Sequence, residues 1–98
     1  MKEITPIDVE AALKKGTQRT IIDVRGVAEV AEGIIPGALN IPLDLLEFRM
    51  HELDKDKEYI MVCRSGARSG RATQFLESHG YTVVNMVGGM MTWEGQVE

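Results

Sequence analysis

Three short apolar runs, rich in β-branched residues and set apart by stretches of helical character, limit what this chain can fold into. They are Thr20-Ile21-Ile22-Asp23-Val24, Tyr59-Ile60-Met61-Val62 and Thr82-Val83-Val84-Asn85-Met86. The first two are apolar almost without alternation, which suits strands covered on both faces. Helical signals lie between them. Thr5 caps, Pro6 suits the first turn, and Asp8 favours the positive end of a helix whose stripe is Val9, Ala12 and Leu13 and whose stop is Gly16. A short helical turn is expected over residues 27–32, and Ile35-Pro36-Gly37 turns the chain into Ala38-Leu39-Asn40-Ile41. Helices are expected over residues 43–53 and 69–79, the second closed by Gly80, with a solvated charged turn at 54–57. The pair Gly88-Gly89 leads into a final turn through Trp93. Strands alternating with helices predict an α/β fold: one domain over residues 1–98, with a central, mainly parallel sheet flanked by helices on both faces. Ligands of such sheets bind at the carboxyl ends of the strands.

With 98 residues there is material for one core. No apolar run approaches the ~20 residues that cross a bilayer, and the first six residues do not resemble a signal peptide, so a cytoplasmic protein without membrane contact is expected. Eleven basic against fifteen acidic residues give a net charge of -4, and overall acidity argues against nonspecific nucleic-acid binding. One cysteine, Cys63, permits no internal disulfide. No His-x-Glu or Cys-x-x-Cys spacing supports zinc.

Cys63 follows the most apolar run directly, and the segment Cys63-Arg64-Ser65-Gly66-Ala67-Arg68-Ser69 opens a helix. Free backbone amides at a helix start favour an anion. Arg64, Arg68 and Arg71 lie close by, and no acid occurs between Glu58 and Glu77. Such surroundings lower a thiol pKa and give a reactive thiolate. A lone cysteine is commonly a small core residue, but flanking Arg, Ser and Gly do not make a core. Gly66 allows the loop to curl with its amides inward.

Other residues have plainer readings. His51 and His79 sit in amphipathic helix patterns as surface or capping residues. Asp23 is either a solvated carboxylate or a brace for Arg68. Arg25 is expected to pair with Glu29 or Glu32. Met86, Met90, Met91 and Trp93 either line the mouth of a site or fill the core. Leu45, Leu46, Phe48 and Met50 are expected to be helix-packing residues.

Four segments together resemble the rhodanese family, and the resemblance covers nearly the whole chain. Asp23-Val24-Arg25 is similar to its strand-end motif. Residues 32–42, Glu-Gly-Ile-Ile-Pro-Gly-Ala-Leu-Asn-Ile-Pro, resemble its G-H-I-x-G-A-x-N-I-P segment. Residues 63–68 match its loop C-x-x-G-x-R, and Gly88-Gly89 with Trp93 matches its ending G-G-x-x-x-W. The resemblance implies a rhodanese-like domain acting as a sulfurtransferase similar to thiosulfate sulfurtransferase. Cys63 would be the nucleophile, carrying sulfur as a persulfide, and residues Arg64, Ser65, Gly66, Ala67, Arg68 and Ser69 would cradle it. It implies a small-molecule donor of the thiosulfate, persulfide or polysulfide type. The acceptor would be cyanide or a thiol, including a protein thiol, and no metal or organic cofactor is implied. Two departures stand out. Ile34 replaces the family's usual histidine. The loop, with Arg64 after the cysteine and Ser65 next, fits neither the thiosulfate nor the mercaptopyruvate subgroup.

Two other functions use the same fold. Phosphatases and arsenate reductases resembling this family carry five residues between cysteine and arginine, against four here, Arg64 to Ala67. Noncatalytic binding modules of the family commonly lack the cysteine.

Overall fold

The computed structural model describes residues 1–16 and 20–98. Among them five strands form one sheet: β1 (Glu3–Ile4), β2 (Thr20–Asp23), β3 (Leu39–Asn40), β4 (Glu58–Val62) and β5 (Thr82–Met86). The order is β1-β5-β4-β2-β3, and every pairing is parallel. The four α-helices are α1 (Pro6–Lys14), α2 (Val27–Val30), α3 (Leu46–Arg49) and α4 (Ala67–Ser78).

Alternation of side chains along each strand divides the core in two. Ile22, Tyr59, Met61, Cys63 and Val83 face one side, where Leu46 of α3 and Ala72 and Leu76 of α4 cover them. Ile21, Ile60, Val62, Val84 and Met86 face the other, under Val9 and Leu13 of α1 and under Met90 and Trp93 near the C-terminus. Both faces are therefore dry, which explains the unbroken apolar runs of β2 and β4. No helix among the described residues is long and apolar enough to cross a membrane.

The start of α1 follows its sequence signals: Thr5 Oγ1 accepts the Asp8 amide at 3.2 Å, and Pro6 occupies the first turn. Residues 43–53 differ from the single helix expected. They form a 3-10 turn (Leu43–Leu45), α3, and a second 3-10 turn (Met50–Glu52). The spacing of the side chains that pack on the core, Leu43, Leu46, Met50 and Leu53, explains this. Steps of three, four and three residues advance about 3.3 residues per turn, between the 3-10 and α values. Helix α4 begins at Ala67, two residues before the position expected. Strand β1 has no counterpart in the sequence reading, because two residues beside charged neighbours carry no periodic signal.

The chain runs outward from β2 to edge strand β3, then returns past β2 to β4. The carboxyl ends of β2 and β4 thus flank a reversal of strand order, the place where ligands of open α/β sheets bind.

Candidate active site

Cys63 is the residue after β4, on the face covered by α4. It exposes none of its surface. The loop returns over it: Gly66 takes φ +101°, α4 starts at the next residue, and the Gly66 amide donates to Cys63 Sγ at 3.0 Å. That backbone angle is in the region glycine reaches without strain. Ser69, in the first turn of α4, places its Oγ 3.3 Å from the same sulfur. Burial pushes the Cys63 thiol up, but the Ser69 hydroxyl and the amides of Ser69, Gly66 and Ser65 outweigh it and hold the thiol below its ordinary value. Donors converging on a buried sulfur favour its anion. The hydroxyl and the amides lead here, and of the nearby arginines Arg68 has a charge interaction with Cys63.

The floor of the loop comes from the other end of the chain. After β5, Gly88 and Gly89 lead into a turn whose Met90 and Met91 amides donate to the carbonyls of Cys63 and Arg64, both at 2.9 Å. A Cβ on Gly89 would lie 2.5 Å from each of those carbonyl oxygens. The paired glycines are therefore a close-approach device that seats one loop on another.

The six residues expected around the sulfur take different positions. Gly66, Ser69 and the backbone amide of Ser65 reach it. Arg64, Ser65 and Ala67 are otherwise exposed. Arg68 turns away and binds Glu29 of α2, with Nη1 to Oε1 at 2.6 Å and Nη2 to Oε2 at 2.7 Å. That pair holds the Glu29 carboxyl down at about 2, chiefly through the Arg68 hydrogen bond.

Asp23 therefore does not brace Arg68. It is fully buried and receives Arg25, whose Nε lies 3.0 Å from Oδ1 and Nη2 2.8 Å from Oδ2. The guanidinium also reaches the Gly33 carbonyl at 2.6 Å. Arg25 hydrogen-bonds Glu29 at its backbone carbonyl, and its charge also acts on the Glu29 carboxylate, but its ion pair is with Asp23, two residues away, and not with the expected Glu29 or Glu32. Asn40 Nδ2 donates to the carbonyls of Asp23 and Arg25, both at 2.9 Å. The Asp-Val-Arg and Asn-Ile-Pro segments thus act together to hold the end of β2.

Asn85 was not singled out in the sequence. It is 4% exposed and bonds to both Ser69 and Gly66. The available signal was a lone amide inside an apolar strand, since buried polar groups require partners. Of the four residues considered for the mouth, Met86 is core, Met90 and Trp93 pack on the second core face, and Met91 is exposed. His51 and His79 bond to backbone carbonyls of Phe48 and Phe75 at the surface. Leu46 packs as expected, and Met50 packs partly buried against it, but Leu45 and Phe48 are exposed.

A cleft of about 360 Å³ beside the loop is lined by Val24, Gly26, Glu29, Leu43, Asp44 and Arg68. A larger hollow of about 570 Å³, with Glu10, Leu13 and Trp93 on its walls, contains no loop residue. Among the described residues no three His, Cys, Asp or Glu side chains are grouped to hold a metal.

A parallel sheet with a donor-ringed cysteine at the tip of its central strand defines a class that known proteins share. The family model described as Rhodanese-like domain matches residues 5–96, and the chain belongs to the rhodanese family. YtwF of Bacillus subtilis is 42% identical over 98 residues, covering 100% of this chain and 95% of that protein. A protein of Allochromatium vinosum named sulfurtransferase is 45% identical over 74 residues, 74% of this chain and 69% of that one. The crystal structure of a rhodanese-like domain protein from Staphylococcus aureus matches with a TM-score of 0.95 at 35% identity, covering 100% of this chain and 97% of that one.

Proposed function

We propose that this protein is a sulfurtransferase in which Cys63 carries sulfane sulfur as a persulfide. One observation carries the reading: a buried sulfur met by the Gly66 amide and the Ser69 hydroxyl, with its thiol pKa lowered in spite of burial. The family and the name of the Allochromatium relative point the same way. The Cys63 thiolate attacks the outer sulfur of a donor such as thiosulfate. The donor's S–S bond breaks, and the leaving group, sulfite in that case, departs with the bonding electrons. The new terminal sulfur bears the charge and rests among the loop amides, a preorganised electrostatic site. A thiolate or cyanide then attacks that sulfur and regenerates the Cys63 thiolate, a double displacement through a covalent intermediate. Because Cys63 has no exposed surface, the loop shifts to admit each reactant. Exposed Arg64 attracts anionic donors, and the acceptor is a small or protein-borne thiol.

Phosphatase chemistry fits less well. A phosphoryl group brings several oxygens, each requiring a donor, while this loop has four residues between Cys63 and Arg68. Arg68 already spends both terminal nitrogens on Glu29. A purely binding module would have no use for a ring of donors around a thiolate.

Intact-mass analysis tests the reading. After incubation with thiosulfate, 3-mercaptopyruvate, glutathione persulfide or polysulfide, the wild type gains one sulfur atom that cyanide removes, and Cys63→Ser gains none. Aryl-phosphate hydrolysis is negligible on the same preparation. No adduct with any donor, or Cys63-dependent phosphate release without sulfur transfer, overturns it.

A further inference from the structure

Ser69 has one hydroxyl proton and two neighbours that can accept it. Its Oγ lies 2.5 Å from Asn85 Oδ1 and 3.3 Å from Cys63 Sγ. The orientation of the Asn85 amide is set independently, because its Nδ2 donates to the Gly66 carbonyl at 3.2 Å. Turning the amide over would set a carbonyl against a carbonyl, so Oδ1 faces Ser69. Asn85 is the penultimate residue of β5 and is almost fully buried. It therefore joins two of the residues that meet the sulfur, Gly66 through its carbonyl and Ser69 through its hydroxyl.

Resting on the persulfide reading above, we propose that Asn85 is a positioning residue that competes with Cys63 for the Ser69 hydroxyl, so that this hydrogen bond turns towards the sulfur only while Sγ carries negative charge. With Cys63 as a thiol, the Ser69 proton lies on Asn85 Oδ1 and the S–H is free to point at Oγ. With Cys63 as a thiolate, the hydroxyl rotates to the sulfur. Once the outer sulfur has been accepted, the charge moves one atom outward, Sγ becomes a neutral bridging atom, and the proton swings back to Asn85. The O–H bond of Ser69 is never broken; only its direction changes. Such competition keeps the thiolate from being stabilised so fully that it becomes a poor nucleophile, since nucleophilicity falls as thiol pKa falls. The Ser69 side chain is the leading influence that lowers the Cys63 pKa, so whatever holds that hydroxyl elsewhere acts on the thiol. The charges around the loop are Arg64, Arg68 with Glu29, and the buried Asp23–Arg25 pair of β2. None of them is altered by changing Asn85 or Ser69.

The test is a double-mutant cycle on the full chain, read as the midpoint of Cys63 alkylation rate against pH, which requires no sulfur donor. Asn85→Leu keeps the branching and the number of side-chain heavy atoms and removes the competitor. It should lower the midpoint by roughly half a pH unit, the scale of one strengthened hydrogen bond, and reduce the plateau rate of the thiolate. Ser69→Ala should raise the midpoint. Adding Asn85→Leu to Ser69→Ala should then produce no further shift. If Asn85→Leu does not fold, Asn85→Asp provides the opposite arm: a stronger acceptor should raise the midpoint, and by less when Ser69 is alanine. An equal shift from Asn85 substitution in both backgrounds, or an upward shift from Asn85→Leu, would overturn the proposal and leave Asn85 as a structural strut. Failure of persulfide formation would instead be seen as a missing mass adduct, whatever the alkylation midpoints.

Discussion

Arg68 and Glu29 face each other with two parallel contacts of 2.6 and 2.7 Å, joining the helix that follows the cysteine loop to the short helix after β2 across 39 residues of chain. Helix α2 buries none of its residues, so this fork is a main tie between it and the loop. Fork-to-fork geometry gives direction as well as attraction.

The pair makes a pH prediction. The Glu29 carboxyl titrates at about 2 in the folded protein against an ordinary 4.5. A depressed folded value contributes stability above the unfolded pKa and loses it as pH falls towards the folded one. Both side chains are about a third exposed, so the contribution is screened to about 0–1 kcal/mol. Urea unfolding of wild type and Glu29→Gln should differ at neutral pH, and the gap should close as pH falls from 4.5 towards 2. A gap unchanged at the acid end would show that the ion pair contributes nothing to it.

Gly89 carries the second prediction. Its φ is +58°, and a Cβ there would collide with the Cys63 and Arg64 carbonyls. Gly89→Ala should push the loop off its floor. A displacement near 1 Å at a reacting centre costs about 100-fold in rate, so kcat/KM for sulfur transfer should fall on that scale in protein that still unfolds cooperatively. Full activity in the folded variant would mean that the loop holds its shape without this contact.

Asp23 and Arg25 supply a stability prediction. Asp23 is 0% and Arg25 6% exposed, and removing one member of a buried pair leaves the other charge without compensation. Asp23→Ala should cost about 3–5 kcal/mol by chemical denaturation. Asp23→Ala combined with Arg25→Met should recover much of that loss. A single-variant cost below about 1 kcal/mol would mean that water reaches the pair.

Arg64 separates binding from activation. The wild-type alkylation midpoint of Cys63 should lie below the ~8.5 of a free thiol, because Ser69 and the loop amides overcome burial. Arg64 is not among the leading causes of that shift. Arg64→Ala should leave the midpoint in place and raise KM for anionic donors while kcat is kept, the pattern of lost uniform binding. An equal fall in kcat and kcat/KM would put Arg64 at the transition state instead.

Local pattern carried the fold class, the extent of β5 and, to within one residue, those of β2 and β4, the cap of α1 and the position of Cys63 at a strand end. Each depends on which residues follow one another: apolar runs, a capping threonine, a cysteine before a glycine-bearing loop. The break of residues 43–53 into 3-10 and α turns was visible in principle, in the three-four-three spacing of its apolar side chains. Partner choice was not. The sequence reading paired Arg68 with Asp23, and only the tertiary structure brings Arg68 to Glu29 of α2 and buries Asp23 against Arg25. Asn85 could be noted as a polar residue in an apolar strand, but its meeting with Ser69 and Gly66 depends on β5 lying next to β4. Strand neighbours are settled by how separate segments bury their shared faces, and the order of residues along the chain carries no record of that distance.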